Sequence, residues 1–249
     1  MYVEVLGVSR TAAPTTTETL NSFAVHYEGN RYNYIKEGGT WSTGSWPTGV
    51  ANDQKIDFYA DTYTYTHSAS YIYNDGNPYI HFTVDGTVSN QHDLLVSECK
   101  QVSYAETHGN VSFLFTHACA IPHFTVQLTD AISTQYGGNL TVKSIVLKNV
   151  KNDGYYYYAT KSWGELSGSA DYSLINGPIT VTTAEQALSS GYLFMIPQKC
   201  AADGTNGIHL EITYTKGDVD KYATIPLDIN WQAGKSYPIN ILLGTAVIE

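Results

Sequence analysis

The sequence predicts an all-β protein built from antiparallel strands. Residues 208–215 place apolar or aromatic side chains at even positions and His, Glu or Thr at odd positions, and residues 225–231 alternate just as regularly. This period of two describes strands with one face on a core and the other in water. The 21 tyrosines, together with abundant Thr, Val and Ile, suit pleated, half-exposed strands. No stretch repeats apolar residues at the helical period of about 3.6 as clearly as these strands repeat them at a period of two.

Strands are predicted along most of the chain, each from similar alternation or from a short apolar run between turn residues. In chain order they cover residues 2–8, 23–27, 56–65, 79–84, 93–96, 111–128, 142–150, 155–158, 193–196, 208–215, 225–231 and 237–243. Gly76-Asn77-Pro78 is a turn that leads into the fourth of them. Residues 184–189 are predicted to form a single helical turn.

The first predicted strand precedes a segment of different composition. Its apolar side chains are Val3, Val5, Leu6 and Val8. Residues 9–17 are mostly Thr, Ala and Pro, which cannot bury much apolar surface, so we expect them to be extended and accessible to proteases. Because Arg10 stands at this junction, a trypsin-like enzyme that cut there would leave the first strand held only by ladder hydrogen bonds and side-chain burial.

The predicted strand at residues 111–128 changes phase within itself. Its apolar side chains occupy odd positions in the first half and even positions in the second half. Without a shift of one residue near Ile121-Pro122 the second set would face water, so a bulge or bend is predicted there. His117 shares the odd phase of the first half, and we expect it to be buried on a central strand.

The length permits one large β-domain or two smaller ones. Residues 133–139 are polar, contain glycine and lack bulky aliphatic side chains, which makes them the candidate boundary. The sequence therefore predicts an N-terminal β-sandwich domain at residues 1–134 and a C-terminal one at residues 135–249.

Charge and composition disfavour several classes of partner. Only 14% of the 249 residues are charged, and 23 acidic against 13 basic side chains give a net charge of −10. Binding to nucleic acid requires clustered Lys and Arg, as does binding to an anionic membrane surface. No run approaches the roughly 18 apolar residues of a membrane-spanning helix. The first residues are not a signal peptide, because they have neither a basic head nor a long apolar stretch.

Cysteine and histidine give weak signals for metal binding. Among Cys99, Cys119 and Cys200 at least one is unpaired, and no CxxC occurs. His117, Cys119 and His123 lie close enough in sequence to suggest zinc. Since neither CxxC nor HxxxH spacing is present, a buried and hydrogen-bonded histidine is the favoured interpretation, and no metal or cofactor is predicted.

The sequence offers no catalytic motif. It contains no GxSxG, no Gly-rich phosphate loop and no HExxH. Asp57 with Asp61, or Glu98 with Glu106, could be read as an acid and base pair. Solvated carboxylates on strands and loops are the favoured interpretation, so no enzyme activity is predicted.

Six aromatic residues are candidates for a binding platform that contacts a glycan or a protein partner. They are Trp41, Trp46, Tyr63, Tyr65, Tyr71 and Tyr73. Their rings could stack on sugar rings or on a protein surface. The competing interpretation is that tyrosine fills half-buried strand positions throughout a β-protein, and the sequence leaves both open.

Eight short segments occur in an order that carries a family resemblance. They are residues 9–12, 23–25, 55–60, 93–96, 111–118, 144–149, 194–198 and 231–237. Together they resemble the fimbrillin-like proteins, the pilins and pilus-tip subunits of Bacteroides-type bacteria. The likeness begins with Ser9-Arg10-Thr11-Ala12, which is similar to the Thr-Arg-Ala start of that family, and it covers nearly the whole chain.

The resemblance implies two tandem transthyretin-like antiparallel β-sandwich domains, export as a lipoprotein precursor and assembly at the outer cell surface. In that family a trypsin-like protease cuts near the N-terminus, and a strand from another subunit then fills the vacated groove. The resemblance thus implies that Arg10 is the proteolytic maturation site. The displaced strand would carry Val3, Val5, Leu6 and Val8.

We therefore expect a non-catalytic structural and adhesive subunit of a fimbria. Its partners would be other fimbrial subunits and a host or bacterial surface protein or glycan. The alternative is a lectin-like β-sandwich that binds surface glycans through its exposed Tyr and Trp. The family's signal peptide and lipid-bearing cysteine are not in this sequence, so we expect a mature or engineered form. Its position as shaft, anchor or tip subunit stays open.

Overall fold

The computed structural model describes residues 2–4, 20–37, 40–41, 44–64, 66–67, 70–74, 76–200, 207–216 and 218–244. They form 21 strands, two short helices and one 3₁₀ turn at Val88–Asn90. The strands are β1 Tyr2–Glu4, β2 Ser22–Tyr27, β3 Asn30–Glu37, β4 Thr40–Trp41, β5 Ile56–Asp61, β6 Tyr71–Ile72, β7 Tyr79–Thr83, β8 Leu95–Val102, β9 Thr116–His117, β10 Ile121–Leu128, β11 Leu140–Val150, β12 Asp153–Tyr157, β13 Ser162–Ser167, β14 Ala170–Ser173, β15 Ile179–Val181, β16 Gln186–Tyr192, β17 Lys199–Cys200, β18 His209–Lys216, β19 Val219–Pro226, β20 Ile229–Asn230 and β21 Ser236–Leu243. The helices are α1 Tyr104–Thr107 and α2 Asp130–Gln135. The predicted all-β class is confirmed.

One antiparallel sheet of six strands, here called the N-terminal sheet, holds six of the nine strands described in the first 117 residues. Its order is β4-β3-β2-β5-β8-β9. The predicted strand at 23–27 is β2, whereas its neighbour β3 is a strand that was not predicted. Polar side chains alternate with half-buried tyrosines along β3, which is the pattern of a strand facing water on one side.

Four further sheets complete the fold. They have the orders β1-β21-β10-β16 (the β21 sheet), β14-β11-β18-β19 with β15 also on β11 (the β11 sheet), β13-β12-β7-β6 (the β7 sheet) and β17-β20. Every ladder is antiparallel except that between β10 and β21, which is parallel over eight residue pairs from Ile121↔Ser236 to Leu128↔Leu243. No helix among these described residues is long and apolar enough to cross a bilayer.

Apolar side chains collect in two clusters. The larger one lies between the β21, β11 and β7 sheets and includes the fully buried Trp231, Tyr172 and Phe124. The smaller one packs Phe23 and Phe58 of the N-terminal sheet against the segments at 44–50 and 104–115. Since successive residues of a strand point to opposite faces, the N-terminal sheet contacts the small cluster with one face and the large cluster with the other.

The predicted strand at 111–128 is two strands in different sheets. β9 is only two residues long and pairs with β8 at the edge of the N-terminal sheet, whereas β10 belongs to the β21 sheet. The predicted phase change is therefore real, but its cause is the transfer of the chain between sheets. His117 lies on an edge strand with its side chain 35% exposed, so the prediction of a buried histidine on a central strand is wrong.

Two further elements differ from the sequence predictions. The regular alternation at 225–231 is divided, because β19 ends at Pro226 and β20 pairs with β17 in another sheet. The residues predicted as a helical turn at 184–189 instead enter β16, whose backbone pairs with β10.

Ladders connect the two sides of the predicted domain boundary at residues 134 and 135. β7 pairs with β12, and β10 pairs with both β16 and β21. Helix α2, with N-cap Thr129, buries Ile132 completely just before the predicted boundary segment at 133–139 and continues into that segment as far as Gln135. Division into two tandem transthyretin-like domains stays a prediction, and any such domains share these ladders.

Candidate functional site

The edge of the β21 sheet is the candidate assembly site. There β1 pairs antiparallel with β21 through Tyr2↔Leu242, Val3↔Ile241 and Glu4↔Asn240. The backbone of residues 2–4 thus pairs into a sheet within the predicted first strand. Edge strands present unpaired N–H and C=O groups that can pair with another chain, so the surface where β1 lies is suited to strand replacement.

β21 itself is firmly held from its other side. Ile239, Ile241 and Leu243 alternate along it and are at most 1% exposed, while Asn240 and Leu242 between them are half-buried. Its parallel ladder with β10 runs over eight pairs, against three pairs with β1. Among the described residues, the β10 flank of β21 thus carries more ladder pairs than the β1 flank.

Part of the β1 side of β21 has no partner strand among the residues described. The β1 ladder ends at Asn240, and no described strand pairs with Ser236–Ile239 on that side. An antiparallel strand that continued the register of β1 would lie opposite Ile239 first and Ser236 last. A strand that continued this register as far as Ser236 would add four residue pairs to the ladder.

Most residues of the predicted maturation segment lie outside the described part of the chain. These are Arg10, Val5, Leu6 and Val8. Val3 is in β1, but only its backbone is described. The assignments of these residues as cleavage site and displaced strand stay predictions.

The six predicted platform residues are not assembled on one surface as far as the structure describes them. Trp46 packs edge-on against Phe58, on the small-cluster side of the N-terminal sheet. Tyr63 contacts Phe82 of the large cluster. Tyr71 stacks on His26 from the large-cluster side as well.

The remaining three platform residues add little to a common surface. Tyr73 is exposed at 42%. Trp41 lies in β4 without a described side chain, and Tyr65 lies outside the described residues. A single stacking platform built from all six residues stays a prediction.

A buried polar cluster, missed in the sequence, joins the N-terminal sheet to the β7 sheet. His26 Nε2 lies 2.8 Å from Asp61 Oδ2 and 2.9 Å from Thr64 Oγ1. Asp61 also accepts hydrogen bonds from the Thr64 amide at 2.5 Å and hydroxyl at 2.7 Å. All three side chains are at most 1% exposed, so the interpretation of Asp61 as a solvated carboxylate is wrong.

Tyr71 closes this cluster from the β7 sheet. Its ring stacks on that of His26 with centroids 3.8 Å apart, and burial raises the pKa of its hydroxyl. Because the cluster is sealed on every described side, it has no surface at which a substrate could meet the His26 ring. Its arrangement is that of a structural joint between two sheets.

Each of the three residues considered for zinc binding has contacts of its own within the fold. His117 is hydrogen-bonded through Nδ1 to the buried Asp93 carboxylate. Cys119 is fully buried, and burial raises the pKa of its thiol. His123 packs against Tyr192, and burial lowers the pKa of its imidazole. Within the described ranges no three His, Cys, Asp or Glu side chains are grouped so as to hold a metal ion.

Comparison with known proteins gives a family match over almost the full length. The model of the family described as fimbrillin-like matches residues 4–249. None of the curated proteins matches the chain.

Solved structures share the fold at low sequence identity. A fimbrial protein from Bacteroides vulgatus is similar with a TM-score of 0.57 and 17% identity, over 94% of this chain and 92% of that one. A candidate cell adhesion protein from Bacteroides uniformis gives a TM-score of 0.53 and 18% identity, over 96% of this chain and 92% of that one. Another candidate cell adhesion protein, from Bacteroides ovatus, gives a TM-score of 0.53 and 16% identity, over 89% of this chain and 81% of that one. At these identities the likeness shows the fold alone.

Proposed function

The chain belongs to the fimbrillin-like family, and on that premise we propose that it is a structural and adhesive subunit of a cell-surface fimbria, assembled by strand exchange. The observation that carries the proposal is the place of β1, which pairs with β21 at the edge of a sheet over the three residues described there. The similar fold of a fimbrial protein from Bacteroides vulgatus supports it.

In the proposed assembly, proteolysis at Arg10 frees the first strand from the rest of the chain. β1 then remains attached only through its ladder with β21. Its departure leaves the β10–β21 ladder intact and exposes an edge above buried aliphatic side chains, at a cost of about 25 cal/mol per Å² of apolar surface. An incoming strand restores both the hydrogen bonds and the burial, which drives polymerisation.

The pattern of β21 specifies what the incoming strand must look like. Residues directly opposite one another in a ladder share a face of the sheet. The incoming strand therefore needs apolar side chains opposite Ile239, Ile241 and Leu243, whose own side chains are buried. The positions between them, opposite Asn240 and Leu242, lie on the half-buried face and tolerate polar residues. This alternation gives specificity, while the main chain gives affinity.

The remaining parts of the proposal concern location and partners. The subunit would act on the outer cell surface after export by a signal peptide and processing as a lipoprotein precursor. Its partners would be other fimbrial subunits and an adhesion target, either a protein or a glycan. Catalysis has no place in this function, and the buried His26–Asp61–Thr64 cluster is sealed from substrate.

Limited trypsin digestion followed by size-exclusion chromatography and intact-mass measurement tests the proposal. We expect one early cut after Arg10, followed by conversion of monomer to oligomers. Arg10→Ala should abolish both events while leaving the unfolding temperature unchanged. Lys221→Ala, which removes an exposed trypsin site on β19, is the matched control and should behave as the parent protein. An early cut elsewhere, or oligomerisation of Arg10→Ala at the parental rate, would show that the mechanism is wrong.

A further inference from the structure

A cleft of about 540 Å³ opens on the small-cluster face of the N-terminal sheet. Its floor is formed by side chains of β2, β3 and β5, and its walls by the segments at 44–47 and 109–113. This volume lies within the range of small-molecule sites in proteins. The β21 edge belongs to another sheet, so the cleft is separate from the proposed assembly site.

The aromatic walls of the cleft are fixed by contacts with one another. Phe23 stacks on Tyr34 with ring centroids 5.3 Å apart and planes 11° apart, and Phe113 meets Phe23 edge-on at 6.0 Å. On the opposite side Trp46 is held against Phe58 and Tyr104 at 5.5 and 5.7 Å. Such bracing keeps ring faces in place before a ligand arrives, which reduces the entropy lost on binding.

A glycine lets the wall approach the floor closely. A Cβ atom at Gly44 would overlap the hydroxyl of Tyr34. The 44–47 segment can therefore lie against the β3 tyrosine only because this position lacks a side chain.

The polar groups of the cleft are neutral and uncommitted. Among the described residues that line it, none is Asp, Glu, Lys, Arg or His. Ser45, Asn110 and Ser112 are exposed at its rim, and their side chains form no hydrogen bond with any other described residue. The rim thus offers hydroxyl and amide groups that can both donate and accept.

We propose that this cleft binds a neutral sugar unit of a glycan. The apolar C–H face of a pyranose would lie on the ring faces of Tyr32 or Trp46, and its hydroxyls would meet the amide of Asn110 and the hydroxyl of Ser112. An anionic sugar would find no cation in the cleft and would meet a chain with a net charge of −10. A cationic ligand would find no carboxylate there. The lining therefore matches an uncharged, amphipathic ligand.

Binding is tested on the uncleaved monomer, so the result is independent of strand exchange and of the function proposed above. The probes are printed lactose, N-acetyllactosamine, maltotriose, cellotriose, chitotriose and mannotriose, with sialyllactose and a uronic acid trisaccharide as charged contrasts. Neutral ligands that bind are then titrated in solution by calorimetry and by tryptophan fluorescence. We expect at least one neutral saccharide to bind and the charged contrasts to be rejected.

Three variants locate the site. Ser112→Trp places a large ring at the mouth of the cleft and should weaken binding about tenfold or more, and Asn110→Ala should weaken it severalfold. Trp46→Phe should keep binding measurable by calorimetry while the fluorescence change disappears. Ser169→Trp, at an exposed position in the loop between β13 and β14, is the matched control and should bind as the parent protein does.

Circular dichroism and the unfolding temperature establish that each variant is folded. The proposal is overturned if no neutral saccharide binds, if only the charged contrasts bind, or if folded Ser112→Trp binds within threefold of the parent protein. Capture of a peptide in place of a sugar at the same cleft would overturn it as well.

Discussion

Replacement of Asp61 by alanine tests the buried joint between the N-terminal sheet and the β7 sheet. The Asp61 carboxylate is completely buried and accepts three hydrogen bonds, one from His26 and two from Thr64. Asp61→Ala removes the acceptor that His26, the Thr64 hydroxyl and the Thr64 amide share. His26 Nε2 and Thr64 Oγ1 remain 2.9 Å apart and can bond to each other, but the Thr64 amide loses its acceptor in an environment that water cannot reach, so its desolvation is no longer compensated.

The expected loss of stability is large for a single substitution. An unsatisfied buried donor costs about 1–3 kcal/mol, and each of the two other hydrogen bonds to Asp61 that are lost costs about 0.5–1.5 kcal/mol. We therefore expect the free energy of unfolding to fall by about 2–6 kcal/mol. For a chain of this size about 2–4 °C is lost per kcal/mol, so the unfolding temperature should fall by about 4–24 °C.

Urea denaturation followed by tryptophan fluorescence measures the change. Asp220→Ala is the control, because Asp220 pairs with Lys143 at 2.5 Å while both side chains remain 39–45% exposed, and such surface pairs contribute about 0–1 kcal/mol. Asp61→Asn retains one carbonyl oxygen, so its loss of stability should lie between those of Asp61→Ala and Asp220→Ala. If Asp61→Ala costs no more than Asp220→Ala, the cluster is not the joint described above.

Two further predictions concern the assembly edge and alkaline stability. The double variant Glu4→Cys/Asn240→Cys places two cysteines opposite each other across β1 and β21, at a Cα spacing compatible with a disulfide. After trypsin treatment the oxidised protein should stay monomeric and the reduced protein should polymerise, with Asn240→Cys alone as the control. Polymerisation of both the oxidised and the reduced protein would contradict strand exchange at this edge. Burial raises the pKa of Tyr156 to about 12, so the folded state favours the neutral phenol, and the stability that this phenol contributes is lost as the pH rises from about 10 to about 12. Tyr156→Phe should therefore reduce the fall in the free energy of unfolding, measured in urea, between about pH 9 and pH 11.5. An equal effect of Tyr222→Phe, at an exposed position, would refute this cause.

The strands predicted well from the sequence are those in which apolar and polar side chains alternate along the length of one strand. β18 and β21 lie within a residue or two of their predicted bounds, because an apolar period of two over eight residues has few other interpretations. The same pattern cannot report which sheet a strand joins. Ile225, Leu227, Ile229 and Trp231 are all buried, yet the chain changes sheets between them.

Features created by pairing over long sequence distances could not be predicted. The alternation of its strand predicts that the Asp61 carboxylate is solvated, whereas its burial depends on His26, 35 residues away in sequence, together with the nearby Thr64. The parallel ladder of β10 and β21 joins segments more than 100 residues apart. The aromatic cleft likewise depends on the 109–113 segment lying beside β3, a strand that was not predicted.

The asymmetry of β21 explains why strand replacement at this edge is compatible with a stable subunit. If β10 were the strand to leave, Phe124, Val126 and Leu128 would leave the core with it. Loss of β1 breaks the three residue pairs described for it and leaves the eight pairs of β10 in place, so in the proposed assembly the acceptor edge would keep its second flank paired. A donor that slipped by one residue would turn its apolar side chains to the outer face. In that assembly the buried alternation of β21 would therefore fix the register of the donor strand as well as the strength of its binding.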